Sequence, residues 1–389
     1  MKVVPSPHFR AAFLAGLLAW LVPRAARAEN SLAYKYEDYR ESGDRIAVQT
    51  QGAYLEQDLG TDTHLKLEGV LDTITGATPT GEPAPAGSNQ VVLSELHPEH
   101  RRAWNADLSR QFPRINLSAG LANSRESDYV SNGWSVNTLI DFNQKNTTLL
   151  GGFAGTDDKL KVLYSSIAPR AHKHTNDAIL GVTQLLDPRT SVSLDVTWGR
   201  AGGYLSDPYK LVSKNVEIFP GVFLPRTPNE NRPSYREKWI ALLALNRAFP
   251  EWRGTVDASY RYYRDTFGTD AHTLDVAWFQ RCGAKFIVRP SLRFYEQSAA
   301  SFYIYDLNST SITPVAGPPR PQGPFYSSDF RLSAMRTFTY GLKVIWNATD
   351  SLQLDAALEQ YDMRGKDGIT PQSAYTDARI VTAGVKFAW

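Results

Sequence analysis

Only one cysteine, Cys282, occurs in 389 residues. No internal disulfide can form, so packing and hydrogen bonds must hold the fold. Cys282 itself reads as a small buried or turn residue. A dominant charge sign is also missing: 42 Lys+Arg stand against 40 Asp+Glu, a formal net charge of +2. That gives no electrostatic footprint for a nucleic-acid partner. Beyond position 28 no stretch approaches ~18 uncharged apolar residues, which excludes a membrane-spanning helix there. No Walker loop, HExxH, G-x-S-x-G or paired C-x-x-C occurs, so the residues call for no cofactor.

What is present begins with a leader. Lys2 and Arg10 precede the apolar run 11–23, which is too short to cross a bilayer, and Ala26-Arg27-Ala28 forms an A-x-A site. Residues 1–28 are therefore expected to be a cleaved secretory signal and 29–389 a single domain. Aromatics reach 12% although mean hydropathy is only −0.35. This balance suits strands that touch lipid with alternate residues only.

Sixteen runs of alternating polarity follow, near 31–39, 44–57, 62–74, 102–112, 114–125, 128–142, 145–156, 175–187, 190–201, 234–248, 253–265, 270–282, 285–297, 334–346, 351–363 and 375–389. In the ninth, Val192, Leu194, Val196 and Trp198 oppose Ser193, Asp195 and Thr197. The eighth and tenth are apolar on both faces and leave their register open. Every second link is short, while 75–101, 157–174, 202–233, 298–333 and 364–374 are long. An even strand number and loops sorted by parity predict a closed antiparallel transmembrane β-barrel of about sixteen strands, with short periplasmic turns and long outer loops. The last run sets Val381, Val385, Phe387 and Trp389 on one face. It resembles the C-terminal signal of bacterial outer-membrane barrels, so Val385, Phe387 and Trp389 are expected to be read by the barrel-insertion machinery.

With the apolar face towards lipid, the lumen receives Asp72, Asp195, Asp257, Arg261, Asp275, Arg289 and Arg293 among other charges of both signs. Arg261, Arg289 and Arg293 are candidates to face an acidic wall segment. In the loops, Asp207, Tyr209, Lys210, Arg232 and Arg236, together with Asp72, are candidates for a charged constriction or plug that pairs acids with arginines. Loops 202–233 and 298–333 decide between an open and a plugged pore. His97, His100, His172 and His174 lie in two outer loops, a weak metal-capture pattern with nothing to bring the loops together. His97 with Glu95 or Glu99 is the sole hint of a rim hydrolase.

Four motifs occur in order: Val70-Leu-Asp-Thr-Ile-Thr-Gly-Ala-Thr-Pro79, Gly203-Tyr-Leu-Ser-Asp-Pro-Tyr-Lys210, Asn231-Arg-Pro-Ser-Tyr-Arg236 and Ser328-Asp-Phe-Arg-Leu-Ser333. They resemble those of a bacterial family catalogued as domain of unknown function 3570, along nearly the whole chain. The resemblance implies an outer-membrane barrel and no substrate. It also implies a link with flavin-transfer and thiol-redox proteins, hence envelope protein partners. The sequence therefore predicts a porin-like channel for a small solute or export product in the bacterial outer membrane. A non-conducting scaffold of an envelope complex is the second reading.

Overall fold

The computed structural model describes residues 30–43, 45–82, 90–162, 170–315 and 317–389, with backbone alone for 94–97. The leader expected over 1–28 lies outside them. Eighteen strands form among the described residues. The first nine are β1 (Ser31–Glu41), β2 (Ala47–Asp58), β3 (Thr63–Pro79), β4 (Leu93–Gln111), β5 (Ile115–Arg125), β6 (Tyr129–Phe142), β7 (Thr147–Lys161), β8 (Arg170–Asp187) and β9 (Thr190–Gly203). Then come β10 (Lys214–Phe219) and β11 (Val222–Arg226), which pair only with each other. The last seven are β12 (Tyr235–Phe249), β13 (Gly254–Asp265), β14 (Asp270–Cys282), β15 (Phe286–Gln297), β16 (Met335–Asn347), β17 (Leu352–Gly365) and β18 (Asp377–Ala388). Apart from β10 and β11, these strands close into one antiparallel ring of sixteen, sealed where β1 pairs with β18 from Ser31↔Ala388 to Glu41↔Ala378.

Period-two side-chain alternation explains both surfaces of this ring. Leu121, Val136, Phe153 and Leu180 point outward and are widely exposed, Leu180 to 72%. Their neighbours Gly120, Ser135, Ala154 and Asp177 form one inward row across β5 to β8. Closure is what permits an oily exterior, because an open edge would leave backbone groups unpaired in hydrocarbon. The register left open by sequence is now fixed. In β12, Trp239, Leu243 and Leu245 face out, while Ile240, Leu242 and Asn246 face in across from Thr197, Asp195 and Ser191.

Aromatics ring the short-turn end. Phe249 stacks on Trp252 at 5.3 Å, Phe286 on Trp346 at 6.1 Å and Phe387 on Trp389 at 5.9 Å. Amphipathic rings favour such an interface level.

Two expectations need correction. The links 75–101 and 157–174 are largely strand, because β3, β4, β7 and β8 run on to 15–19 residues each. Polar residues can continue a ladder beyond an apolar band, since their partners rather than their polarity sustain it. Of the two readings of Cys282, buried or turn, the buried one fails: it is exposed, the last residue of β14 and next to the turn at Gly283.

Candidate functional site

The lumen wall is built by cross-strand rows. Asp275 and Arg293 are register partners and form an ion pair at 3.1 Å. Arg261 lies over Tyr263 at 5.5 Å and Arg289 over Phe279 at 5.2 Å. Asp257 sits opposite Ala277, and Asp195 between Gly181 and Leu242. Asp72 accepts from Thr50 Oγ1 at 2.7 Å and from Arg101 Nε at 2.5 Å. Since β13 and β3, like β14 and β4, stand eight places apart in a ring of sixteen, they are diametrically opposed. Arg261 on β13 thus looks across the lumen towards β3, which carries Glu68, while Arg289 on β15 stands seven places from β4 and its Asp107; none of these four has an ion-pair partner among the described residues.

The long-loop end carries a folded cap. Gly203 begins it with φ +102°, where a Cβ would fall 2.3 Å from the carbonyl oxygen of His172. Segments 204–234 and 298–334 then share a core of Val212, Leu307, Val315 and Tyr326. They are stitched by backbone bridges Ser213↔Asp306 and Asn231↔Tyr326. A second core joins Phe267, Ala300, Phe302 and Leu332, and a third joins Phe330, Met335, Ala374 and Tyr375. The cap reaches across the mouth: Lys210 Nζ donates to Pro79 O at 2.6 Å at the end of β3, and Tyr209 Oη donates to Asp128 beside β6.

At its centre is an ion cluster, buried at Glu230, Asp329 and Arg232 and open at Arg331. Arg232 lies 2.6 Å from Glu230 and 2.8 Å from Asp329. Arg331 bridges Asp329 and Asp207, each at 2.6 Å. Glu230 also accepts from the Asp207 N–H and the Ser327 hydroxyl. The two arginines hold the Asp329 carboxyl far below the usual range despite full burial, and Asp329 and Asp207 hold Arg331 charged. Burial lowers the Lys210 ammonium. Burial, reinforced by the charge of Asp329, pushes Glu230 up to about 7 against the pull of Arg232.

This arrangement sets a pH dependence. The folded value of Glu230 lies above its ordinary 4.5, so its contribution is fully present below about 4.5 and lost as pH rises through about 7. The linkage amounts to on the order of 3 kcal/mol at most. Protection of amides in 204–234, after correction for the intrinsic rise of exchange with pH, is expected to fall between pH 5 and 8, and Glu230→Gln to flatten that fall. An unchanged profile in the variant would assign the effect elsewhere.

Two cavities lie inside the ring, one at each end. One of about 730 Å³ lies between the cap and the wall, bordered by Tyr129, Lys173, Lys238, Tyr204, Tyr209 and Arg331. The other, about 720 Å³, opens at the short-turn end beside Asn246, Asp257, Phe279 and Ile287.

Of the residues singled out from sequence, Asp207, Lys210 and Arg232 meet in the cap and Tyr209 ties it to the rim. Arg236 stays on β12, bonded to Asp265 at 2.7 Å and lying 4.6 Å from the Phe267 ring. Asp72 does not join the cap, because its row partner Arg101 satisfies it on the wall. Sequence reasoning passed over Glu230, Asp329 and Arg331. The signal was present in the quoted motif Ser328–Ser333, whose acid and base stand two apart. His100, His172 and His174 lie on β4 and β8 rather than in loops, on the outward face, four strands apart in the ring. No group of three or more His, Cys, Asp or Glu suited to a metal exists among the described residues. The side chains of Glu95 and His97 lie outside the description. Glu99 is engaged by Ser127, whose N–H donates at 2.7 Å.

Comparison with known proteins adds breadth. The chain is similar in shape to a bacterial polysaccharide outer membrane secretin, at 12% identity and TM-score 0.46, covering 94% of this chain and 100% of that one. It is similar to the CymD monoaromatic hydrocarbon channel at 9% identity and TM-score 0.42, covering 94% and 89%. It is also similar to OmpT, an outer membrane protein of Vibrio cholerae, at 8% identity and TM-score 0.43, covering 93% and 97%. No curated protein matches. Residues 17–376 match the family described as protein of unknown function, DUF3570, and the chain belongs to that family.

Proposed function

We propose that this protein is an outer-membrane channel for a small polar solute, its long loops outside the cell and its short turns in the periplasm. The observation that carries this reading is the closed ring itself, apolar without and ionised within on successive strands. Sixteen strands leave an interior too wide for side chains alone to fill, and the two cavities mark its ends. The A-x-A leader and the aromatic terminal strand fit export and recognition by the insertion machinery. Planar-bilayer recording of the purified, folded protein tests it: discrete conductance steps are expected, and a folded protein that never conducts would overturn it.

The opposition of Arg261 to Glu68, with Arg289 and Asp107 on the same two sides of the ring, creates a transverse field suited to dipolar solutes. Replacing both arginines with serine is expected to move the reversal potential in a salt gradient towards cation selectivity. No movement would place the selective region elsewhere.

The cap across the mouth favours a second reading, a non-conducting scaffold within an envelope complex, including one linked to thiol-redox partners. Absence of conductance from both wild type and a cap-opened variant would favour it. A rim hydrolase centred on His97 is the third, tested by activity screening with His97→Ala as control.

A further inference from the structure

Three pairs of arginines stand directly opposite one another on the outside of the ring: Arg40↔Arg379, Arg336↔Arg364 and Arg102↔Arg125. Their outward aim follows from their neighbours. Arg379 shares a face with Val381, Arg336 with Phe338, Arg364 with Leu358, Arg102 with Trp104 and Arg125 with Leu121, all exposed apolar side chains. All six arginines are exposed. Five lie towards the long-loop ends of their strands, and Arg102, midway along the longer β4, is level with Arg125 at the end of β5. Like charges facing each other across a ladder destabilise it, and the same unfavourable juxtaposition recurs three times. Arg40 is satisfied by Asp38 on its own strand at 2.6 Å. The other five have no hydrogen-bond or ion-pair partner among the described residues.

Below one pair lies a seat for a hydrocarbon tail. An outward groove of about 820 Å³ is walled by Trp278, Pro290, Leu292, Tyr340 and Leu342, and Arg379 stands at its border. A second outward hollow, bordered by Arg40, Asp38, Gln360 and Arg379, continues from it. Apolar groove, then arginine pair, is the order of parts in an anionic lipid lying along the barrel.

We propose that these arginine pairs hold the phosphate groups of phosphorylated glycolipid in the outer leaflet, each phosphate bridging two guanidiniums that would otherwise repel. Planar guanidinium forks match phosphate oxygens in pairs. The same contacts explain why the belt sits at one rim only, the other rim being aromatic. The inference rests on the proposed membrane orientation, and the test keeps the two apart.

Full-length protein, folded in neutral detergent, is titrated with bis-phosphorylated lipid A, with its dephosphorylated counterpart, with phosphatidylcholine and with inorganic phosphate. Retention is read by native mass spectrometry, and heat-dependent gel mobility confirms that each sample is a closed barrel. The wild type is expected to retain lipid A alone. R336Q/R364Q and R40Q/R379Q are each expected to weaken retention about tenfold, from the electrostatic attraction of two surface arginines. R189Q/R247Q, at the opposite rim, is expected to leave it unchanged. Equal retention of phosphorylated and dephosphorylated lipid, retention unaltered in the paired variants, or occupancy by inorganic phosphate as strong as by lipid A would overturn the proposal. Loss of heat-dependent mobility in the wild type would instead overturn the membrane-barrel reading beneath it.

Discussion

Asp329→Ala is expected to release the cap while leaving the barrel intact. Asp329 is wholly enclosed and accepts from Arg232 Nη2 at 2.8 Å, Arg331 Nη2 at 2.6 Å and the Arg331 N–H at 3.1 Å. Removing it leaves the enclosed Arg232 guanidinium and the nearby Lys210 ammonium without the charge that offsets their desolvation, and frees the more open Arg331 from its anchor. Breaking a buried pair from one side typically costs about 3–5 kcal/mol, comparable to the whole stability of a small cap. The sixteen-strand ladder draws nothing from this residue, so heat-dependent gel mobility should persist. Single-channel conductance should rise, and limited proteolysis should cut within 204–234. Asp329→Asn, which keeps shape and some acceptors, should fall between. Wild-type conductance and protease resistance in Asp329→Ala would mean that the ion cluster does not hold the cap over the path.

Leu180→Arg is expected to be the most damaging single change on the outer wall. Leu180 is flanked on its face by Ala178 and Val182 and is open to whatever surrounds the barrel. An arginine on the lipid side of a membrane barrel costs about 2–4 kcal/mol near the midplane and little near the interfaces. In water the same substitution on an exposed site would be close to neutral. Urea unfolding in lipid vesicles should therefore show a large loss for Leu180→Arg, and a small one for the inward Ser193→Arg. Equal, minor losses for both would say that the exterior does not meet hydrocarbon.

Much of the wall was legible because a two-sided strand must alternate. Val192 to Trp198 and Phe338 to Trp346 declare their faces residue by residue, and the parity of short and long links supplies the ring. The runs around Ile179–Leu186 and Trp239–Asn246 stayed ambiguous, because the lumen there accepts Ile179, Ile240 and Leu242 as readily as polar groups. Their register is decided by partners such as Asp195 opposite Gly181, which no local pattern reveals. The cap was the least legible part. Glu230 and Asp329 are nearly a hundred residues apart in sequence and meet only because two long segments fold against each other. Asp72 illustrates the converse: its charge suggested a loop arginine, whereas its ladder neighbour Arg101 was already in place. The hairpin of β10 and β11 was missed because it belongs to no ring and its strands are only five or six residues long, although Ile218, Phe219, Val222, Phe223 and Leu224 leave it apolar and exposed.

The seam between β1 and β18 has a consequence for how the molecule comes into being. The residues that pair there are separated by almost the entire chain, so this closure is the most distant contact the fold must make and the slowest kind to form. Until the final dozen residues arrive, a nearly finished wall would expose two raw borders of unpaired amides, each able to recruit a neighbouring copy. The interval before that pairing is therefore when the chain is most prone to associate with its own kind, and any stall before residue 377 would leave a sticky open wall in place of a vessel.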